Sequence, residues 1–376
     1  MNMTNNNNHI KVLISGGGTG GHIFPAIAIA NAVRTKHPEA EILFIGAENR
    51  MEIEKVPAAG YEIIGLPVYG FNRKNLLKNA KVIYKLLESI RKARIAIKTF
   101  KPDIAVGVGG YASGPTLWVA SRMGIPTLIQ EQNSYAGVTN KLLSSKASAI
   151  CVAYEDMERF FPKNKIKLTG NPIRQDLLNS SCTREEAAMF FGLDPAKKTI
   201  LIIGGSLGAR TINQSVTAHL GKLAKSDVQL IWQTGKNYDD KAKDALSKIK
   251  AENIKQMPFI SRMDMAYKMA DLVISRAGAS SISELCLLGK PCILVPSPNV
   301  AEDHQTKNAQ ALSSRGAAIL IKDNEAVEKL IPKALSTIGN TTLCDKMNSE
   351  ILALGQHDSA SRIAEMIIEL IEKNRK

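Results

Sequence analysis

The feature that most constrains the fold is a group of five glycines near the amino terminus. Residues 15–25 read Ser-Gly-Gly-Gly-Thr-Gly-Gly-His-Ile-Phe-Pro, between the apolar run 10–14 and the helix-forming stretch 26–33. This order predicts a β-strand that enters a glycine loop and then a helix. Uncovered backbone N–H groups and the positive end of the helix dipole would meet at the loop. The sequence therefore predicts an anion site there, most simply for a diphosphate.

His22 lies in the first turn of this predicted helix, beside the anion site. The helix dipole disfavours the imidazolium form at that position, so His22 is the leading candidate for a general base. A capping or packing histidine is the structural alternative.

The same glycines also fit other functions. Gly16, Gly18 and Gly21 satisfy the dinucleotide pattern G-x-G-x-x-G, with Glu48 as the acidic residue after the next predicted strand. This pattern favours NAD or FAD binding only weakly, and a purely structural turn is also open. Two further glycine loops, 107–115 and 204–208, each follow an apolar strand. Three such loops indicate two phosphorylated substrates.

Apolar strands alternate with helical patterns along the whole chain. This alternation predicts an α/β protein with two doubly wound, Rossmann-like parallel sheets, whose domains face each other across a cleft. A breaker cluster at 168–174 marks the crossing between a first domain at 10–169 and a second at 170–356, after a leader at 1–9. The predicted strands are 10–15, 41–46, 61–65, 103–108, 126–130 and 148–153, followed by 199–203, 228–232, 254–257, 271–275, 291–295 and 317–321.

The composition is that of an ordinary globular protein, with 376 residues, 44% hydrophobic and 22% charged. Five scattered cysteines lack metal-ligand or disulfide spacing, which indicates reduced, mostly buried thiols in the cytosol. Residues 104–121 are uncharged, but four glycines and Pro115 interrupt them, so a strand, a loop and a helix start are expected instead of a membrane span. The sequence has no Asp-x-Asp pair, H-E-x-x-H motif or P-loop, so no metal is expected at the anion site.

The net charge of +14 is concentrated between residues 73 and 101, where ten Lys or Arg residues accompany one acid, Glu88. Apolar residues at helical spacing, including Ile83 and Leu87, predict an amphipathic helix. This helix could pack on the core with a solvated basic face, or contact an anionic membrane surface. Nucleic acid is disfavoured because no recognised motif accompanies the charge. The membrane interpretation assigns contacts to Lys74, Leu76, Leu77, Lys78, Lys81, Ile83 and Lys85.

Two polar segments follow predicted strands, at the sheet edge where α/β proteins bind ligands. Glu131-Gln132-Asn133 offers a carboxylate and two amides for a polyhydroxylated ligand, or simply a turn. Residues 275–284 run through small residues into a helix, whose first turn suits phosphate while Glu284 suits a ribose diol.

Further along, residues 302–308 carry polar groups suited to sugar hydroxyls, or else Asp303 is a plain helix cap. The loop 204–208 also matches the serine nucleophile elbow G-x-S-x-G, with Asp303 and His304 downstream. A serine hydrolase is disfavoured because it leaves the other two glycine loops unexplained.

Seven motifs then occur in an order that points to a family. They are GGGTGGHIFPAIAIA, GVGGYASGP, EQN, GNPIR, GGSLGA, SRAGASSISE and DHQTKNA. Together they resemble the MurG family, the bacterial N-acetylglucosaminyltransferases of peptidoglycan synthesis, over nearly the whole chain. The resemblance implies the GT-B fold, with a final helix at 357–376 that returns to the first domain.

The resemblance also implies an activity. Family members transfer N-acetylglucosamine, with inversion, from UDP-N-acetylglucosamine to the C4 hydroxyl of the muramoyl sugar in undecaprenyl-diphosphoryl-muramoyl-pentapeptide. The first domain would bind the acceptor and an anionic membrane, and the second would bind the donor, without a metal or other cofactor. The expected location is peripheral, on the cytoplasmic face of the inner membrane, where a cell-wall synthesis complex could be a partner.

Site residues carry over from the family by motif. His22 corresponds to the histidine proposed as general base; Glu131, from the polar segment after the fifth predicted strand, is our own candidate for its support. The UDP-N-acetylglucosamine site would comprise Thr19, Gly20, Gly21, Asn133, Arg174, Ser206, Ile260, Ala279, Ser280, Ser281, Ile282, Ser283, Glu284 and Gln305. The acceptor diphosphate would lie against Gly18, Gly109, Gly110, Tyr111 and Ser113.

Two other classes of protein share parts of this pattern. A different GT-B enzyme, such as a UDP-galactose diacylglycerol transferase or a UDP-sugar 2-epimerase, is disfavoured by the EQN, GNPIR and DHQTKNA motifs. A non-catalytic UDP-sugar-binding or membrane scaffold subunit is disfavoured by His22 beside an intact donor site.

Overall fold

The computed structural model describes residues 9–68, 79–173, 177, 180–205 and 208–375, without the side chains of 79–81 and 301. It divides into two compact units. Unit 1 comprises residues 1–173 and 356–376, and unit 2 comprises residues 174–355. The chain therefore passes from unit 1 to unit 2 within the breaker cluster and returns near its carboxyl end.

Within the described residues, unit 1 is built on a parallel sheet of seven strands in the order β3-β2-β1-β4-β5-β6-β7. The strands are β1 (Lys11–Ser15), β2 (Glu41–Ala47), β3 (Glu62–Leu66), β4 (Ile104–Gly107), β5 (Thr127–Glu131), β6 (Ala149–Val152) and β7 (Ile166–Leu168). The helices among and after them are α1 (Gly20–Lys36), α2 (Glu52–Ala58), α3 (Asn79–Phe100), α4 (Ser113–Arg122) and α5 (Val138–Leu143). The first six strands lie close to their predicted bounds, whereas β7 was not predicted.

Unit 2 repeats this architecture, with six described parallel strands in the order β10-β9-β8-β11-β12-β13. The strands are β8 (Thr199–Ile203), β9 (Gln229–Gln233), β10 (Ile254–Met257), β11 (Leu272–Ser275), β12 (Cys292–Leu294) and β13 (Ile319–Leu320). The helices are α6 (Arg184–Phe191), α7 (Arg210–Ala218), α8 (Leu220–Ala224), α9 (Asp239–Ser247), α10 (Met263–Met269), α11 (Ala279–Leu287), α12 (His304–Ser313), α13 (Ala326–Ile338) and α14 (Thr341–Ala353). The predicted class, two doubly wound parallel sheets, is confirmed.

The last helix, α15 (Ser359–Arg375), belongs to unit 1 and packs on α1. Its apolar face is buried in the cluster that contains β1 and α1 side chains such as Ile14 and Ile29. Each fully buried aliphatic side chain contributes about 1.5–3 kcal/mol relative to exposure. The buried residues of this face are Ala360, Ile363, Ala364, Ile367 and Ile371.

In each unit, the strand order places the candidate site segments next to one another. In unit 1, β1 pairs with β4 and β4 with β5, so the glycine loops after β1 and β4 and the polar segment after β5 emerge side by side. In unit 2, β8, β11 and β12 are neighbours in the same way. The carboxyl ends of adjacent parallel strands are where such folds bind ligands.

The structure also bears on the cysteines and on the uncharged segment 104–121. All five cysteines are free thiols, four of them buried, and burial raises the pKa of both Cys151 and Cys286 to about 12. Residues 104–121 form β4, a loop and most of α4, as predicted. Among the helices in the described ranges, none combines the length and the apolar character that crossing a membrane requires.

Candidate functional site

The glycine loop after β1 is folded onto its neighbours. Gly16 N donates to Ile45 O at 3.3 Å, and Gly17 N donates to Gly109 O at 3.3 Å. Gly18 N donates to both carboxylate oxygens of Glu52, at 3.1 and 3.0 Å. The expectation that the glycines leave their N–H groups uncovered is therefore wrong for Gly16, Gly17 and Gly18, because adjacent strand ends and α2 supply acceptors. Open space lies where a Gly18 side chain would be, so a ligand can approach that backbone closely.

The backbone donors that this segment still offers to a ligand are those of the first helical turn. Helix α1 begins at Gly20, six residues before the predicted stretch, so Gly20 and Gly21 carry N–H groups without an intrahelical acceptor. Thr19 precedes the helix in extended conformation, and its Oγ1 lies 3.1 Å from His22 Nδ1. His22 is half-buried in this first turn, where the sequence placed it.

The second glycine loop packs against the first. Gly109 and Gly110 have φ values of +90° and +86°, and a Cβ at Gly110 would lie 2.3 Å from Gly17 O. A Cβ at Gly109 would lie 2.8 Å from Cδ2 of His22, so only glycine lets the imidazole rest on this loop. The same loop continues through exposed Tyr111 to buried Ser113, whose Oγ donates to Gly110 O at 3.1 Å. The structure thus places His22 directly on the loop that contains Gly109, Gly110 and Tyr111, three of the predicted diphosphate residues.

Glu131 ends β5 with its carboxylate buried. Its Oε1 accepts from the backbone N and the Nδ2 of Asn133, at 3.1 and 3.2 Å. Its Oε2 accepts from Gly137 N at 3.0 Å and Asn140 Nδ2 at 2.8 Å. The geometry therefore makes Glu131 a residue that holds Asn133 in place.

Gln132, for which the sequence predicts only a role as a polar ligand group, also makes a structural contact. Its buried amide donates to Val108 O at 2.6 Å, which ties the end of β5 to the loop after β4. A Cβ at Gly109 would also lie 3.6 Å from its Oε1. Only the pairing of β4 with β5 reveals this contact.

In unit 2, the segment 275–284 forms the end of β11 and the start of α11, as predicted. Ser280 Oγ is buried and has no hydrogen-bond partner among the described residues, at a helix end that attracts anions. Ser281 follows it in the same turn, and Ile282 faces the core. Ser283 Oγ donates back to Ala279 O at 3.0 Å.

Glu284 lies in the second turn of α11, where its Oε2 accepts a 2.9 Å hydrogen bond from Tyr267 OH. Tyr267 is a buried residue of α10 that belongs to none of the sequence motifs. The contact restrains the orientation of the Glu284 carboxylate.

Gln305, the second residue of α12, accepts a 2.9 Å hydrogen bond from Ser297 N through its Oε1. Asp303 precedes this helix with φ of +52°, and its carboxylate accepts from Thr306 Oγ1 at 2.7 Å. Asp303 thus occupies the N-cap position, as the alternative predicted, but its carboxylate makes no cap bond to the described backbone.

Ile260 is buried after β10 and lines a pocket of about 560 Å³, together with Phe191 and Met257. Its neighbour Phe259 is exposed.

Several predicted residues lie outside the described ranges: Arg174, Ser206, Lys74, Leu76, Leu77 and Lys78, together with the side chain of Lys81. The nucleophile-elbow alternative centres on Ser206 and is likewise outside them. Glu48, the acidic residue of the dinucleotide alternative, pairs with Lys92 Nζ at 2.8 Å.

Helix α3 departs from the core-packed interpretation. Ile83 is 53% exposed and Leu87 is 62% exposed, so the predicted apolar face does not enter the core along its first half. The core contact comes later, through Ala93 and Ile97. Lys85 is paired with Glu88 at 2.8 Å. Unit 1 therefore presents exposed apolar and basic side chains together on one helix.

Comparisons with known proteins identify the family. The profile of the glycosyltransferase family 28 N-terminal domain matches residues 12–152, and that of the C-terminal domain of the same family matches residues 199–363. The chain belongs to glycosyltransferase family 28. Its fold is GT-B, the class that these two Rossmann-like units indicate.

Relatives of this family 28 chain include a protein from Parabacteroides distasonis that is 61% identical over 363 residues, covering 96% of this chain and 99% of that one. It is named UDP-N-acetylglucosamine--N-acetylmuramyl-(pentapeptide) pyrophosphoryl-undecaprenol N-acetylglucosamine transferase. The crystal structure of Acinetobacter baumannii MurG matches with a TM-score of 0.78 and 28% identity, covering 96% of this chain and 99% of that one.

A UDP-GlcNAc 2-epimerase from Neisseria meningitidis, whose crystal structure contains UDP-GlcNAc, matches with a TM-score of 0.68. Its identity is 16%, over 96% of this chain and 100% of that one, so it shares the fold alone.

In the part of the chain that the structure describes, no group of three or more His, Cys, Asp or Glu side chains is placed to hold a metal ion.

Proposed function

We propose that this family 28 chain transfers N-acetylglucosamine from UDP-N-acetylglucosamine to the C4 hydroxyl of the muramoyl sugar in undecaprenyl-diphosphoryl-muramoyl-pentapeptide. The observation that carries the proposal is the 61% identity, over 96% of the chain, to a relative whose name states this transfer. The arrangement of polar groups in each unit supports it.

Unit 2 would bind the donor. The amino terminus of α11 offers backbone N–H groups, a positive dipole end and the buried Ser280 Oγ, which has no partner in the part of the chain that the structure describes; all three suit a phosphate. Glu284, held by Tyr267, can accept hydrogen bonds from ribose hydroxyls. Because the Ile260 side chain is buried, uracil would meet the backbone there and the exposed Phe259 ring. Ala279, Ser281, Ile282 and Ser283 form the surrounding turn, and Arg174 and Ser206 belong to the same proposal.

Gln305 would read the hydroxyls of the transferred sugar. Its Oε1 accepts from Ser297 N, which holds the side-chain amide in one orientation. The sugar hydroxyls would then accept hydrogen bonds from its Nε2. For unit 1, Asn133 and the turn Thr19–Gly21 belong to the same proposal as predicted donor contacts. Glu131 supports that role indirectly, because it fixes the Asn133 backbone and side chain.

Unit 1 would bind the acceptor. The loop Gly109–Gly110, followed by Tyr111 and the α4 start at Ser113, offers a second helix amino terminus for a diphosphate. Gly18 would not donate to the diphosphate, because its N–H is bonded to Glu52. It would instead let the diphosphate lie close to the backbone, because it has no side chain and the space beside it is open.

The chemistry follows from His22. As the acceptor hydroxyl attacks the anomeric carbon, His22 takes its proton, the new C–O bond forms, and the bond between the anomeric carbon and the β-phosphate oxygen breaks. UDP leaves with that oxygen and the electron pair, and the configuration at the anomeric carbon of the transferred sugar is inverted. The positive end of α11 stabilises the charge that develops on the phosphate, so the site binds the transition state better than the substrate.

The acceptor is anchored in a bilayer, so unit 1 would contact the membrane. The exposed Ile83 and Leu87 can insert while the surrounding basic residues attract anionic headgroups. We therefore place the protein peripherally on the cytoplasmic face of the inner membrane, where other proteins of cell-wall synthesis would be partners.

The test is transfer of labelled N-acetylglucosamine from the UDP donor to a short-chain polyprenyl diphosphate analogue of the acceptor. We expect one disaccharide product with a β linkage for each UDP released. Formation of the epimeric UDP-sugar without acceptor would support the epimerase alternative. Donor binding without any turnover would support the scaffold alternative.

A further inference from the structure

Glu52 is a buried carboxylate that the proposed mechanism does not use. It opens α2 and is only 1% exposed. Its Oε1 accepts from Ala47 N at 2.9 Å and from Gly18 N at 3.1 Å, and its Oε2 accepts from Gly18 N at 3.0 Å. The carboxylate therefore joins the end of β2 to the glycine loop.

Two glycines make room for this side chain. A Cβ at Gly17 would lie 2.0 Å from Glu52 Oε1, and a Cβ at Gly46 would lie 2.6 Å from its Cγ. Part of the glycine content of the loop thus serves the carboxylate. A buried carboxylate that loses its donors is costly, as is a buried N–H without an acceptor, so the contact penalises opening of the loop from both sides.

We propose that Glu52 is a positioning residue that fixes Gly17 and Gly18 and, through them, the turn that carries Thr19 and His22. Gly18 adopts φ of +89°, a conformation that glycine reaches freely and leaves freely, so the loop needs an external anchor. His22 follows only four residues later, with its ring on Gly109. The proposal rests on the function proposed for His22.

Glu52 also sets which donors an anion can reach. It occupies the Gly18 N–H and places negative charge beneath the first half of the loop. A phosphate or a developing oxyanion is therefore directed to the N–H groups of Gly20 and Gly21, at the positive end of α1.

The experiment compares Glu52→Gln with Glu48→Gln. The amide of Glu52→Gln keeps the shape but turns an NH₂ group toward a backbone N–H, whichever way it is oriented. Glu48 lies on the same connection after β2, but it is partly exposed and pairs with Lys92 on α3, so its variant is the matched control. Glu52→Asp keeps the charge and shortens the reach, and it replaces Glu52→Gln if the latter fails to fold.

Three readouts separate positioning from general stability: kcat and KM with the soluble acceptor analogue, calorimetric affinity for UDP, and hydrogen exchange of the peptide that spans residues 15–22. We expect Glu52→Gln to lower kcat about 10- to 100-fold, as for a catalytic group displaced by about 1 Å. Exchange at Gly18 should accelerate while UDP affinity and the exchange of β1 stay unchanged. Glu48→Gln should match the wild type in all three.

Wild-type kcat in a variant whose loop exchanges faster would overturn the proposal, since the loop would then be irrelevant to turnover. So would a loss of UDP affinity parallel to the loss of kcat, which would indicate a general weakening of the fold. Hydrogen exchange does not depend on the reaction. A wild-type protein that transfers no sugar would instead contradict the proposed function, while the exchange result would still report on the anchor.

Discussion

The two units carry carboxylates at equivalent sheet edges but use them differently. In unit 1, Glu52 and Glu131 turn inward and accept hydrogen bonds mainly from loop N–H groups. In unit 2, Glu284 is held by a tyrosine hydroxyl, and Ser280 Oγ nearby has no partner among the described residues. Under the proposed function, unit 1 uses its acids to fix loop geometry, at Glu52 beside the proposed base, whereas unit 2 keeps polar groups for the donor. Substitutions in unit 1 should change turnover, and those in unit 2 should change donor affinity.

The largest effect is expected in unit 1. His22→Ala should lower kcat about 10²- to 10⁴-fold, because a general base acts on the transition state. UDP affinity, measured by calorimetry, should stay within about twofold if unit 2 binds the nucleotide. His37→Ala, after the opposite end of α1, is the control for helix damage. Near wild-type turnover at saturating substrate would assign His22 a structural role and break the contrast between the units.

In unit 2, Glu284→Ala should weaken UDP binding by about 1–3 kcal/mol, because a ribose partner is lost and Tyr267 OH loses its acceptor. Tyr267→Phe should weaken it by about 0.5–1.5 kcal/mol, since the carboxylate remains but is less fixed. The measurement is calorimetric titration with UDP, and Glu252→Ala, at an exposed position of the same unit, serves as the control. Unchanged affinity in Glu284→Ala would remove that residue from the site.

Smaller effects are expected on membrane binding, which we assign to unit 1 alone. Leu87→Glu should reduce cosedimentation with liposomes at all salt concentrations, while Lys85→Glu should reduce it mainly at low ionic strength and only with anionic lipid. Both variants should process a water-soluble acceptor normally. Met189→Glu, at an 83% exposed apolar residue of unit 2, should bind liposomes like the wild type. Equal loss in Met189→Glu would show that membrane contact is not a property of unit 1.

The smallest expected effect is that of metal removal. Activity with a soluble acceptor should persist in excess EDTA, because the sequence has no Asp-x-Asp pair to hold a cation on the diphosphate. Complete loss of transfer, restored only by Mg²⁺ or Mn²⁺, would contradict stabilisation of the leaving group by helix dipoles and side chains.

The sequence predicts what depends on local pattern. Strand β8 has its predicted bounds because its apolar run ends at Gly204, and β10, which includes Lys255 and Gln256, has them because Pro258 follows it. The sequence does not predict strand β7, because Ile166–Leu168 is only three residues long and has a lysine at its centre. This strand pairs with β6 at the edge of the sheet. The periodicity of α3 predicted an amphipathic helix but could not say what covers its apolar face.

Within the site, local pattern placed His22 in a helical first turn and Glu284 inside a helix that begins with serines. It could not find the partners of these residues. Glu52 follows Met51 at a helix start, where acids are common and usually exposed, and only the approach of the glycine loop to the end of β2 buries it. The same holds for Tyr267, which is an ordinary apolar position of α10 until the structure shows its hydroxyl on Glu284.

The return of α15 to unit 1 has a consequence for biosynthesis. The core of unit 1 includes Ile363, Ile367 and Ile371, which are translated after all of unit 2. Unit 2 is one continuous segment and can fold as it leaves the ribosome, whereas unit 1 lacks part of its core until α15 is translated. Domains usually complete their folding in order from the amino terminus during synthesis. Here the order would be reversed, so the unit with the exposed apolar helix would be the last to reach its final form.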